Sequence, residues 1–287
     1  MSSDKIFDTL DNYFKKLDSA PVSSIAMFKS EHDKESYETI FMHSFRKYRA
    51  AFYHYNNVRR FLNEHEEFAQ TPNTQDIGDN GPYNVKLSYS ADHYIFELSA
   101  FLEALKSSVD FLALGCSLHF PGINCSSIRT LMRLVNNGNN RGLIFDEVRG
   151  NLDWLDRLRK YRHHFVHCRI ISTSCGYERR VINGVQQIII YPVIIPEIPP
   201  PYIPDTRQRR AMEKSPFFND SGSYISITNT IDGEKTIDCT LKYPSPQGYI
   251  GIEDFMLQYL NSYEKFFTEI IRALSDLDFK YSNPRKS

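Results

Sequence analysis

The stretch Val148-Arg149-Gly150-Asn151-Leu152-Asp153-Trp154-Leu155-Asp156-Arg157-Leu158-Arg159-Lys160-Tyr161-Arg162-His163-His164-Phe165-Val166-His167 decides how this chain is read. Set out at about 100° per residue, Trp154, Leu158, Tyr161 and Phe165 fall within about 60° of one another. They make the apolar stripe of a helix from Val148 to His167, and such a stripe is stable only against neighbouring elements. Arg162 projects about 80° to one side of Trp154, His163 nearly opposite it, and His167 about 40° farther round, so the core stripe excludes these groups. The outer face also carries Leu152, Leu155, Arg159 and Val166. A half-apolar face bearing Arg and His suits a partner surface better than water, and a homodimer would bring two copies of it together.

Working outward, the same helical period recurs. Tyr37, Phe41, Tyr48, Phe52, Tyr55 and Leu62 predict a long helix from about Lys34 to Phe68. Tyr94, Leu98, Phe101, Leu105, Val109 and Leu112 predict a second from about Ser90 to Gly115. A shorter one fits Ser126 to Val135, and a last one runs from Gly251 to Asp276. The segment Thr71 to Tyr83, with Pro72, Gly78, Asn80-Gly81 and Pro82, reads as a loop.

After His167 the period shortens. Arg169 to Cys175, Arg179 to Ile182 and Gln186 to Ile195 are rich in Ile and Val, and Asn183-Gly184 between the last two predicts a hairpin. A second hairpin is expected between Tyr224 to Thr228 and Thr236 to Tyr243, around Asp232-Gly233. Between them, the proline-rich Pro196 to Ser223 reads as a linker, and its run Arg207-Gln208-Arg209-Arg210 as a solvated charge cluster. The expected fold is therefore mainly α: an antiparallel helical bundle with a small β-hairpin-rich insertion before the C-terminal helix. Its expected parts are 1–168 (bundle), 169–245 (β-rich insertion with linker 196–223) and 246–287 (returning helix).

The chain has 287 residues, 41% of them apolar and 14% aromatic, enough for a sizeable core. Its formal net charge of −1 gives the average surface no attraction for nucleic acid, so any such role needs a local basic patch. Cys116, Cys125, Cys168, Cys175 and Cys239 are odd in number and form no CxxC pair, which fits reduced thiols in a cytoplasmic protein. No stretch approaches the roughly 18 apolar residues of a membrane span. His32, His43, His54 and His65 recur at a fixed step along one helix, but about 16 Å apart they cannot share a metal. His163 and His167 stand one above the other as in zinc-binding helices, yet no Glu follows His163 and no third ligand is identifiable, so neither metal nor cofactor is expected.

The span Tyr161 to His167 resembles the signature of the HEPN superfamily: an Arg, a polar residue (His163 here), three further positions and a His near the end of a bundle helix. The segment Glu97 to Leu105 is similar to the long helix that packs against the signature helix in bacterial HEPN proteins. The resemblance covers roughly Ser90 to Arg169. It implies metal-independent RNA cleavage at a site composed of two signature helices in a homodimer, with Arg162 binding phosphate and His167 transferring protons. These residue types suit the chemistry, because imidazole accepts and donates protons near neutral pH and a guanidinium fork stays charged. His163 and His164 would support them, Glu103 is a candidate positioning carboxylate, and Arg159 and Arg169 are candidate RNA contacts. Glu103, Lys106 and Asp110 also read as an ion-pair ladder on one helix face. Arg169 stands where some HEPN toxins carry a modifiable Tyr, and no regulatory protein partner is identifiable. The competing reading is a HEPN-like module that binds nucleotide, RNA or protein without cleaving anything.

Overall fold

The computed structural model describes residues 4–20, 28, 30–70, 84–90, 92–120, 125–137, 142–167, 174–182, 185–191, 193–199, 237–242 and 247–280. Expectations for Thr71 to Tyr83, Arg169, the arginine run 207–210 and the strand at 224–228 lie outside these residues, as does most of the proline-rich linker.

The described chain is mainly helical. Its helices are α1 (Asp4–Ser19), α2 (Glu31–Gln70), α3 (Asp92–Ser117), α4 (Ile128–Asn136), α5 (Leu143–Gly150), α6 (Leu152–His167) and α7 (Ile252–Lys280). The expected single helix from Val148 to His167 is broken at Asn151. Gly150 lowers the helical preference just before the break. Asn151 then ties both ends together: its Nδ2 donates to the Glu147 carbonyl at 2.9 Å, its Oδ1 accepts from Trp154 Nε1 at 2.7 Å, and its carbonyl accepts the Leu155 N–H at 3.2 Å. Gly142, at φ 125°, turns the chain into α5 in a conformation that favours glycine.

Two compact units divide the chain, one comprising 1–54, 100–162 and 257–287, the other 55–99 and 163–256. In the first, the core is aromatic. Tyr37 lies edge-on to Phe41 with ring centroids 4.8 Å apart, and Tyr13 packs against both. Tyr48 stacks on Tyr263 at 5.0 Å, Trp154 meets Phe266 edge-on at 5.7 Å, and Tyr161 meets Tyr259 at 6.1 Å. Ser44 of α2, Ser108 of α3 and Tyr263 of α7 form a buried hydrogen-bonded cluster.

The second unit holds the sheets. Strands β1 (Asn84–Ser90), β2 (Ser174–Ile182), β3 (Val185–Tyr191) and β5 (Ile237–Lys242) form one sheet in the order β1-β2-β3-β5; β4 (Ile194–Pro196) pairs antiparallel with β6 (Tyr249–Gly251) just before α7. The expected first hairpin is present: β2 and β3 run antiparallel with Ile182 opposite Val185. Two features depart from expectation. The edge strand β1 comes from the segment before α3, pairing Asn84 with Arg180 through Ser90 with Ser174, so the β-rich part is not confined to one insertion. Strand β5 pairs with β3 in parallel, a long-range match that local hairpin signals cannot reveal. Ala69, Tyr177, Ile188 and Ile190 bury together at this sheet.

Gly115 of α3 gives the first unit a sharp test. A Cβ added there would lie 2.5 Å from Phe41 Cζ, inside a ring already held by Tyr13 and Tyr37. Gly115→Ala gains up to about 1 kcal/mol of helix propensity but overpacks this contact at a cost of about 1–3 kcal/mol. The expected net result is a lower urea midpoint, partly restored when Phe41→Leu is added; a higher midpoint for Gly115→Ala alone would contradict this packing.

Candidate functional site

The elements that carry the signature are α3 and α6. Within the first unit, Leu155, Leu158 and Tyr161 of α6 are fully buried, while Trp154 is only half-buried with its indole N–H on Asn151. Leu155, expected on the outer face, is therefore a core residue, so that face offers less apolar surface to a partner than its pattern suggested. The buried stripe of α6 is wider than expected and reaches round to Leu155, while Trp154 at the middle of the expected stripe stays half-buried.

Arg162 is oriented by a carboxylate from another helix. Its Nε donates to Glu103 Oε2 of α3, with side-chain exposures of 28% and 47%. The other described arginines of α6 pair within the helix instead, Arg157 with Asp153 at 3.1 Å and Arg159 with Asp156 at 2.9 Å. The bond from Arg162 holds the Glu103 carboxyl below its ordinary range, with Lys106 and Lys47 adding to the effect and burial opposing it. The same bond raises the already high Arg162 value, so the guanidinium is permanently charged.

The expected ladder on α3 is divided. Lys106 pairs with Asp110, whereas Glu103 turns to Arg162. Asp110 does more, since its Oδ1 accepts the Ile128 N–H at 3.0 Å and so satisfies one of the open donors at the start of α4. Arg159, engaged with Asp156, is half-buried.

In the second unit, His163 is exposed and His164 is buried. Burial, and secondarily His163, holds the His164 imidazole below its ordinary range, so it is neutral at pH 7. Its buried Nδ1 has no hydrogen-bond partner among the described residues. The backbone of His167 ends α6, but its side chain, like that of Val166 and all of Arg169, lies outside the described residues. Among the described residues no group of three or more His, Cys, Asp and Glu is arranged to hold a metal ion, and no helix is long and apolar enough to cross a membrane.

Two features escape the pattern reading. One is a hydrogen-bonded chain in the first unit: the Tyr13 and Tyr37 hydroxyls are 2.7 Å apart, and Tyr37 lies 2.9 Å from His119 Nε2. A neutral ring accepting at Nε2 lets Tyr37 donate to it while accepting from Tyr13. His119 is distant in sequence from both tyrosines, so no spacing signals it. The other is Lys47, close enough to Glu103 to help depress its carboxyl. Its signal is visible in hindsight: α2 has no acidic residue between Glu38 and Glu64.

Burial pulls the His119 imidazole down to about 4 from an ordinary 6.5. Between these values the unfolded chain binds more protons than the folded one, so stability should fall as pH drops from about 6.5 towards about 4 and level off below. His119→Gln, which has no ionisable ring, should shrink the difference between urea unfolding free energies measured at about pH 7 and about pH 4.5. An undiminished difference would show that other groups own this acid limb. No family model, curated protein or solved structure matches the chain, so its function must be argued from these residues.

Proposed function

We propose that this protein is a metal-independent endoribonuclease of HEPN type, working as a homodimer with Arg162 and His167 at its catalytic centre. The observation that carries the reading is the Arg162–Glu103 pair: of the described α6 arginines, the one at the signature position is oriented by a different helix. A carboxylate that fixes one side of a guanidinium aims the rest of its fork, as phosphate recognition requires. Arg162 and His167 are five residues apart on α6, hence about 140° apart in direction and about 7.5 Å along the axis. One copy of the helix diverges these groups, and a second copy supplies the missing member of each pair.

The step is a transesterification. The ribose 2′-oxygen forms a bond to the adjacent phosphorus as the bond from phosphorus to the 5′-oxygen breaks. His167 takes the 2′-hydroxyl proton, and a protonated imidazole returns one to the departing 5′-oxygen. Arg162 balances the charge that builds on the phosphoryl oxygens. Exposed His163 and buried His164 flank this centre as supporting groups.

Single-stranded RNA should be cut in the presence of EDTA, leaving a 2′,3′-cyclic phosphate and a 5′-hydroxyl. RNA with 2′-O-methyl riboses should resist. His167→Ala should slow cleavage by about 10²-fold or more, as for loss of a positioned acid-base group. Arg162→Lys keeps the charge but loses the fork and should also be impaired. Wild type and His167→Ala purified in parallel make the comparison; equal cleavage by both, or none by either, would favour a HEPN-like module that binds without cutting.

A further inference from the structure

The surface of α2 carries a set of cations that nothing else in the described chain neutralises. Between Glu38 and Glu64 the helix holds Arg46, Lys47, Arg49, Arg59 and Arg60 and no acidic residue. Arg59 and Arg60 are answered by Glu253 and Glu64, at 3.0 and 3.6 Å. Arg46, Lys47 and Arg49 are exposed, and their side chains form no ion pair with any described residue. Many exposed cations elsewhere are paired within a turn, as Lys15 is with Asp11, Arg149 with Asp146, Arg157 with Asp153 and Lys160 with Asp156. What sets these three apart is their concentration, within four residues of an acid-free stretch in a chain whose net charge is −1.

Geometry gives this cluster a shape. Arg46, Arg49 and Tyr53 lie within about 60° of one another on α2 and span about 10.5 Å along it. Tyr53 is 62% exposed, and the ring contact described for it is edge-on to His54. Lys47 projects about 100° from Arg46, on the side where its charge is felt by Glu103. His43, one turn earlier, lies stacked on Phe111 with centroids 5.3 Å apart. Clustered cations beside an open aromatic face are what a single-stranded polynucleotide needs, charge for its backbone and a π-surface for a base. An anionic membrane fits less well, because the aliphatic side chains on this face, Met42 and Ala50, are only part-exposed and too few to enter a bilayer as an apolar stripe.

We infer that the Arg46–Arg49–Tyr53 face of α2 binds single-stranded RNA, with Lys47 continuing the track towards Glu103 and Arg162. This names the substrate-binding surface of the proposed ribonuclease and rests on that reading for its biological meaning. Its test is kept separate from catalysis by using an RNA that cannot be cleaved.

The experiment measures fluorescence anisotropy of a labelled 2′-O-methyl oligouridine of about 20 nucleotides, long enough to cover such a track. It runs over a range of salt concentrations with the full-length protein. Wild type should bind with an affinity that falls with salt. Arg46→Gln with Arg49→Gln should weaken binding and make the logarithmic salt slope shallower by about 0.7 per cation removed. Tyr53→Ala should weaken binding about 5-fold or more, and Tyr53→Phe should not, because stacking needs the ring and not the hydroxyl. Arg149→Gln, which removes a paired cation, should bind as wild type does. Circular dichroism melts of each variant should match wild type, since every altered side chain is exposed. No binding by wild type, or unchanged affinity and slope in the Arg46/Arg49 variant, overturns the inference. So does equal dependence on those arginines for polyglutamate with Tyr53→Ala neutral, which points to an acidic protein instead. Cleavage of ordinary RNA that survives such an outcome would leave the ribonuclease reading standing; binding without cleavage would do the reverse.

Discussion

Two serines that exchange hydrogen bonds across a helix pair set the closeness on which the first unit depends. The Ser44 hydroxyl donates to the Ser108 carbonyl at 2.8 Å, and the Ser108 hydroxyl donates back to the Ser44 carbonyl at 2.6 Å. A side chain as short as serine reaches the opposite backbone only when α2 and α3 approach closely. Tyr263 then places its hydroxyl 2.9 and 2.6 Å from the two serine oxygens, so every buried polar atom of the cluster has a partner. Burial holds this phenol well above its ordinary range, the serine hydrogen bonds only partly offsetting that, and the cluster stays uncharged. Seven residues beyond Ser108, two helical turns along the same face, Gly115 continues the close approach against Phe41. Small residues on one side of α3 thus admit the large aromatics of α2.

The other side of α3 is charged. Glu103, Lys106 and Asp110 lie about 160–220° around the helix from Ser108. They divide the work, Asp110 satisfying both Lys106 and the start of α4, and Glu103 turning to α6. A helix wedged by its small face cannot rotate without losing the serine exchange. The packing of α2 on α3 therefore fixes where Glu103 points, and through it where the Arg162 guanidinium is held.

Helices were legible in the sequence because their apolar period is local and strong, and α2, α3, α4 and α7 extend within a few residues of where Tyr37, Phe101, Leu131 and Phe266 imply. The break at Asn151 was not, because Gly150-Asn151 is tolerated within many helices and only the tightened bond from the Asn151 N–H to Val148, with the side-chain bonds to Glu147 and Trp154, marks the interruption. The burial of Leu155 escaped the pattern because α6 packs on a wider arc than the stripe of Trp154, Leu158, Tyr161 and Phe165. The β2–β3 hairpin followed from Asn183-Gly184, and the strand at β5 from Thr236 to Tyr243, but its parallel pairing with β3 is long-range and has no local signature; β1 alternates Val85, Leu87 and Tyr89, a signal the reading passed over, and its pairing with β2 is long-range too. At the candidate site, Arg162 was visible as a motif position. Its partner emerged only when α3 and α6 came together, since residues 59 apart share no period. The basic face of α2 was present as an acid-free stretch, but a reading that tracks apolar residues passes over what the polar positions have in common.

That segregation of charge matters more than the total. A cation paired within its own helix turn presents a small dipole whose field dies within a few ångströms, whereas an unpaired one is felt to about a Debye length, about 8 Å at physiological salt. A net charge of −1 therefore coexists with a strongly positive strip where Arg46, Lys47 and Arg49 stand together. The Arg162–Glu103 pair occupies a middle position, partly covered yet open enough that solvent screens it. An anion that reaches Arg162 has to compete with a carboxylate, but it exchanges one partial screening for another instead of stripping a buried pair. Until then Glu103 keeps the guanidinium oriented at little cost, because neither side chain is fully desolvated.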